Sequence, residues 1–85
     1  MTRAKKGSIQ IRFEILEYLF YNQEPQARTN IWRKATTLSY DDFQRHLIYL
    51  NEKELITEQE DRNYIITSKG REVYSKLRTV IFSIL

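Results

Sequence analysis

Gln44, Arg45 and Tyr49 follow Ser39 and Tyr40 within one short stretch, TTLSYDDFQRHLIYLNEKELI. Glutamine can hold adenine through two hydrogen bonds, and arginine can hold guanine, each from the major groove of a duplex. A serine and a tyrosine at a helix start are placed for phosphate oxygens, where the helix N-terminus itself favours an anion. Asp41 and Asp42 would repel phosphate but suit the helix dipole. The plainer alternative is a solvated face with an aromatic or two packed sideways.

Other cations could serve the same partner. Arg28, Arg33 and Lys34 stand in a run with no acid, and suit contacts to a phosphate backbone. Arg3, Lys5 and Lys6 sit in an acid-free N-terminal segment, either an arm reaching an adjacent groove or a disordered basic tail. Acids gather instead between residues 52 and 61, as Glu52, Glu54, Glu58, Glu60 and Asp61 against Lys53. The net charge is only +3, so this segregation gives the surface its positive side. A random mosaic of charge on a small domain is the competing reading.

Catalytic and metal chemistry find little support. The chain has no cysteine, which removes disulfides, thiolate chemistry and Cys-type zinc sites. His46, the only histidine, has neither the companions of a metal site nor a recognisable nucleophile and orienting group. No enzyme activity and no cofactor are implied. Trp32 reads as a core anchor between a second helix and the segment after the third. Tyr40, Tyr49 and Tyr64 offer the alternative of a stacking platform for single strands.

These residues need elements to hold them. With 85 residues the chain suggests one domain of modest stability. Ser8 reads as an N-cap, and Ile9, Phe13, Leu16 and Phe20 recur at helical spacing behind it. Ile11, Ile15, Tyr18 and Leu19 widen that stripe, so the first helix must bury two surfaces. YNQEPQAR, with the only proline, reads as a loop. Thr29 or Asn30 would cap a short second helix. Ser39 caps the third, with Asp42 completing a short-armed capping box and Phe43, Leu47 and Leu50 as its core stripe. Leu55 and Ile56 open a strand, EDRN makes a turn, and YIIT returns as a second strand. Thr67 caps the last helix, with Gly70 in its first turn. Val73, Leu77, Val80, Ile81 and Ile84 form its apolar face.

The order is helix, helix, helix, hairpin, helix: mainly α with a small β-hairpin. It resembles the winged helix-turn-helix family through three segments, RTNIWRKATTLSY, SYDDFQRHLIYLNEKELI and YIITSKGREV. More closely, it is similar to small archaeal transcriptional regulators and the ten-kilodalton archaeal DNA-binding proteins that dimerise through a C-terminal helix. The resemblance covers residues 9 to 85. It implies a third helix in the DNA major groove, a wing on the backbone or minor groove, and a last helix paired with a second copy. Arg62 is then the one wing-tip cation, between acids that oppose phosphate contact.

The expected organisation is a basic arm (1–7), a winged helix-turn-helix domain (8–67) and a C-terminal dimerisation helix (68–85). Ile11, Ile15, Val73, Leu77, Val80, Ile81 and Ile84 would face a second copy, since a lone chain would leave a contiguous apolar patch. The expected partner is double-stranded DNA, bound by a homodimer acting as a transcriptional regulator or chromatin-associated protein in the cytoplasm. No small-molecule ligand is evident. No apolar run approaches the roughly 20 residues of a membrane span. A protein-interaction module docking a larger assembly is the rival, supported by the acidic wing, and an RNA binder is a third reading.

Overall fold

Ile11, Ile15, Leu16 and Leu19 lie on the inward side of the first helix, α1 (Ser8–Tyr21), and all four are buried. The structure is a computed structural model that describes residues 7–84, and Ile84 by its backbone only. Lys5 and Lys6, with Arg3, fall outside the described residues. Ser8 is the first residue of α1 rather than its cap. That position belongs to Gly7, whose backbone is extended and whose carbonyl accepts the Ile11 N–H at 3.0 Å.

The segment expected to be a loop holds a short strand, β1 (Gln26–Ala27). Its backbone is satisfied by strand pairing, and Gln26 Oε1 accepts a bond from the Tyr18 hydroxyl at 2.7 Å. The second helix, α2 (Arg28–Ala35), starts directly after it. Thr29 and Asn30 therefore sit in its first turn, and Ala27 occupies the cap position with no side-chain bond. Ile31 is its one buried residue.

Trp32 is partly buried against the core. Its indole N–H donates to the Leu38 carbonyl at 2.7 Å, and its ring meets Tyr40 edge-on with centroids 5.1 Å apart. Thr36 Oγ1 donates back to the Trp32 carbonyl at 2.8 Å. Together these bonds close the turn before the third helix, α3 (Tyr40–Glu52). Ser39 caps that helix as expected, its hydroxyl accepting the Asp42 N–H at 3.3 Å. Phe43, Leu47 and Leu50 are its buried residues.

The exit from α3 reverses the chain. Glu54 takes a left-handed conformation, with φ of 61°. Its N–H reaches the Asn51 carbonyl at 3.1 Å, and the Leu55 N–H reaches the Leu50 carbonyl at 3.0 Å. This is the Schellman pairing, which satisfies the last carbonyls of a helix. Strands β2 (Ile56–Glu58) and β3 (Asn63–Ile66) follow as an antiparallel hairpin, with Ile56 opposite Ile66. Because β1 also pairs with β3, the sheet has three strands in the order β1-β3-β2.

The last helix, α4 (Ser68–Ile84), is capped by Thr67, whose hydroxyl accepts the Gly70 N–H at 2.9 Å. Gly70 is buried under the α3–β2 junction. A methyl group there would overlap the Leu55 carbonyl oxygen and lie 2.8 Å from Cγ1 of Ile66. The buried anchor of α4 is Tyr74, which was not on the expected stripe. Its ring stacks on Phe13 at 5.0 Å and meets Phe20 at 4.6 Å, and its hydroxyl donates to Glu17 at 2.8 Å. Burial first, then the bond to Glu17, raises the pKa of this phenol above the usual tyrosine range. The four helices and small sheet thus share one core. Among the described residues no helix is long and apolar enough to cross a membrane.

Candidate nucleic-acid interface

A helix advances about 100° per residue, so α3 has an inward line, two flanks and an outward line. Phe43, Leu47 and Leu50 hold the inward line. Asp41, Arg45, Ile48 and Glu52 form the outward one, and all four are exposed. Among the described residues Arg45 has no hydrogen-bond or ion-pair partner. Ser39 is exposed at the helix start.

Tyr40 and Gln44 share the flank facing α2 and the hairpin. There Arg28, the first residue of α2, gathers the side chains. Its Nη1 donates to Gln44 Oε1 at 3.2 Å, and its Nη2 to the Tyr64 hydroxyl at 2.7 Å. The bond to Tyr64 is the main reason its pKa is raised, with Tyr40 adding to it and partial burial opposing it. Tyr40 is half-buried between Trp32 and Phe43. Much of its ring is therefore committed to packing.

Tyr49 lies on the other flank, with His46, against α1. The guanidinium carbon of Arg12 sits 3.5 Å from the centre of the Tyr49 ring, a close cation–π contact. Arg12 Nε also donates to His46 Nδ1 at 3.2 Å. Lys53 approaches the same tyrosine ring at 5.6 Å. Tyr49 is thus half-buried and already stacked. The aromatic residues of α3 do not share a face with Arg45; each occupies a seam between helices.

The remaining candidates scatter. Arg33 and Lys34 are exposed in the last turn of α2, where they border a groove of about 600 Å³ shared with Glu14, Glu17 and Tyr18 of α1. Arg62 is exposed at the hairpin tip with φ of 66°. Asp61 beside it is used locally, accepting from the Asn63 backbone and side-chain amides at 3.2 Å each. Among the described residues no cluster of His, Cys, Asp or Glu could hold a metal ion.

The apolar residues assigned to a second copy also divide. Ile11 and Ile15 are buried inside this chain's own core, Ile15 completely, so neither can meet a partner. α4 packs on α1 through Tyr74, whose ring lies against Phe13 and Phe20, while Gly70 fits against Leu55 and Ile66. Val73, Leu77 and Ile81 remain half-buried and Val80 is 54% exposed. The side chain of Ile84 is outside the described part.

Arg12, Tyr64 and Tyr74 are the positioning residues that sequence reasoning missed. Tyr64 had a usable signal, since it alternates with Ile66 on the buried side of β3. Arg12 had none, because its partners lie 34 residues or more away in the chain.

A family model described as winged helix-turn-helix matches residues 5–84. No curated protein matches the chain.

Proposed function

The chain belongs to the winged helix-turn-helix family, a DNA-binding architecture, and from that premise we propose that it binds double-stranded DNA as a homodimeric transcriptional regulator or general DNA-coating protein. The observation that carries the reading is Arg45. It stands exposed, and unpaired among the described residues, on the outward line of the helix this fold lays in the major groove. An arginine there can hold guanine O6 and N7 together. Ser39 at the start of α3 and the cations Arg33, Lys34 and Arg62 supply candidate phosphate contacts, and the basic residues Lys5 and Lys6 a candidate arm. A location with the nucleoid follows from this role.

A gel-shift titration with random duplex DNA at low salt tests it, with binding expected. If each subunit neutralises about three phosphates, log affinity falls against log salt with a slope of roughly −5 for the dimer. Arg45→Ala costs about 1–3 kcal/mol on a guanine-bearing site and less on its variants. An equal loss on every sequence would instead make Arg45 a phosphate contact.

One observation favours a second reading. The outward line of α3 also carries Asp41, Glu52 and Ile48, the last 53% exposed, and the hairpin tip carries Glu60 and Asp61. Such a mixed face suits docking to another protein. Absence of duplex binding at low salt selects that reading, and a preference for single strands selects an RNA binder.

A further inference from the structure

Gln44, on the flank of α3 that faces α2, is oriented by a neighbouring cation. Arg28 Nη1 faces its amide at 3.2 Å. A guanidinium offers donors and no acceptor, so only the amide oxygen can face it. The planar amide then turns Nε2 to the other side. Nε2 has no acceptor among the described residues, and no buried side-chain nitrogen or oxygen lacks a partner, so Nε2 reaches solvent. Gln44 thus turns its oxygen to Arg28 and keeps both N–H donors of Nε2 uncommitted among the described residues.

Arg28 is not free to release that oxygen. Its other terminal nitrogen is bonded at 2.7 Å to Tyr64, which is buried in the central strand of the sheet. Among the described residues no carboxylate pairs with Arg28, so its charge is met only by neutral oxygens. The Gln44 bond is charge-assisted, which makes it stronger than an amide pair of neutral groups.

Resting on the duplex-DNA reading above, we infer that Arg28 is a specificity-determining positioning residue: by holding Oε1 of Gln44 it makes that side chain a reader of acceptor edges, guanine or thymine, rather than of adenine. Glutamine recognises adenine by accepting from N6 while donating to N7. Oε1 keeps a second lone pair, but an oxygen already accepting from a cation is a poorer acceptor for N6, so the first half of that pair is weakened while the donor half is not. Guanine offers N7 and O6, and thymine offers O4, all acceptors for Nε2.

The test is selection of binding sites from a randomised duplex library, followed by titration of duplexes differing at one base pair. Gln44→Ala identifies the position that Gln44 reads, as the one where base preference disappears. At that position the wild-type protein is expected to prefer guanine or thymine over adenine by about tenfold, a typical discrimination for a base-edge contact. Arg28→Met should weaken binding overall and move the preference toward adenine. Because loss of a phosphate contact acts equally on all sequences, the ratio between bases isolates the positioning role. A wild-type preference for adenine there overturns the inference, and so does an Arg28→Met profile that is weaker but unchanged. The wild-type result stands even if Arg28→Met fails to fold. A wild-type protein that binds no duplex removes the DNA reading itself. A double-mutant stability cycle of Arg28→Met with Gln44→Ala works without DNA. Additive effects there overturn the positioning contact on its own.

Discussion

His46 accepts a hydrogen bond that only the neutral imidazole can accept. Nδ1 takes the Arg12 Nε–H at 3.2 Å, so a proton on that nitrogen would replace the bond with two facing cations. Partial burial lowers the His46 pKa first, and the Arg12 charge lowers it further, while Asp42 acts against both. The folded protein thus binds this proton less readily than the unfolded chain, whose histidine titrates near 6.5. Stability contributed by neutral His46 is complete above that value and is lost as pH falls through 6.5 and then through the lower folded value. NMR titration of the His46 ring should give a midpoint below 6.5, and a midpoint at or above it defeats the account. His46→Gln keeps an acceptor for Arg12 and should flatten that part of the pH profile. The same seam gives Tyr49 a partner that a reading by residue type does not foresee. A tyrosine on the polar side of an amphipathic helix suggests an outside partner, yet its partner is Arg12, stacked 3.5 Å from the ring centre. Contact between residues 12 and 49 leaves no periodic trace in sequence. Arg45 was legible because an exposed arginine needs only the helical period to be placed.

At the scale of elements, two positions where α3, β2 and α4 join respond to glycine in opposite directions. Glu54 ends α3 in a left-handed conformation, which costs a residue with a Cβ about 1–2 kcal/mol. Glycine removes that strain but adds unfolded-state entropy of roughly 0.5–1 kcal/mol. Glu54→Gly should therefore stabilise the domain by up to about 1 kcal/mol. Gly70→Ala runs the other way. Alanine improves helix propensity by at most about 1 kcal/mol, less in a first turn. The new methyl would overlap the Leu55 carbonyl, a backbone atom that cannot step aside as a side chain could. Overpacking of this kind costs about 1–3 kcal/mol, so the clash wins. Urea melts of the two variants should move apart in midpoint, and stabilisation by Gly70→Ala contradicts the packing described. The helices and hairpin were legible because their apolar residues repeat with the right periods over many positions. The junctions were not. A glutamate at a Schellman position lacks the glycine that usually marks one, and a two-residue strand such as β1 is too short to show alternation. The cap of α2 failed for a related reason: β1 runs straight into the helix, so Thr29 and Asn30, good capping residues, arrive too late.

For the whole molecule, the question is what covers the outward side of α4. Packing through Tyr74 and Gly70 buries one edge of the helix and leaves Val73, Leu77 and Ile81 half-covered, with Val80 54% exposed beside them. A second copy related by a two-fold axis would cover this line with itself, and each change on it would count twice. The arrangement would also hold two α3 helices at a fixed separation, as a palindromic site demands. Val80→Glu separates this from packing within one chain. Val80 is exposed in the single chain, so an isolated domain should tolerate the change within about 0.5 kcal/mol. In a dimer it places two carboxylates in an apolar seam, where burial without a partner is costly. Sedimentation should then show a wild-type dimer and a monomeric variant with a nearly unchanged melt of the domain. The DNA titration should follow, the salt slope dropping from roughly −5 to about half that as one subunit's phosphate contacts are lost. A wild-type protein that sediments as a monomer, or a Val80→Glu protein that stays dimeric, takes the second copy off this face. In that case the duplex would be gripped by single domains, and binding would lose its dependence on palindromic spacing.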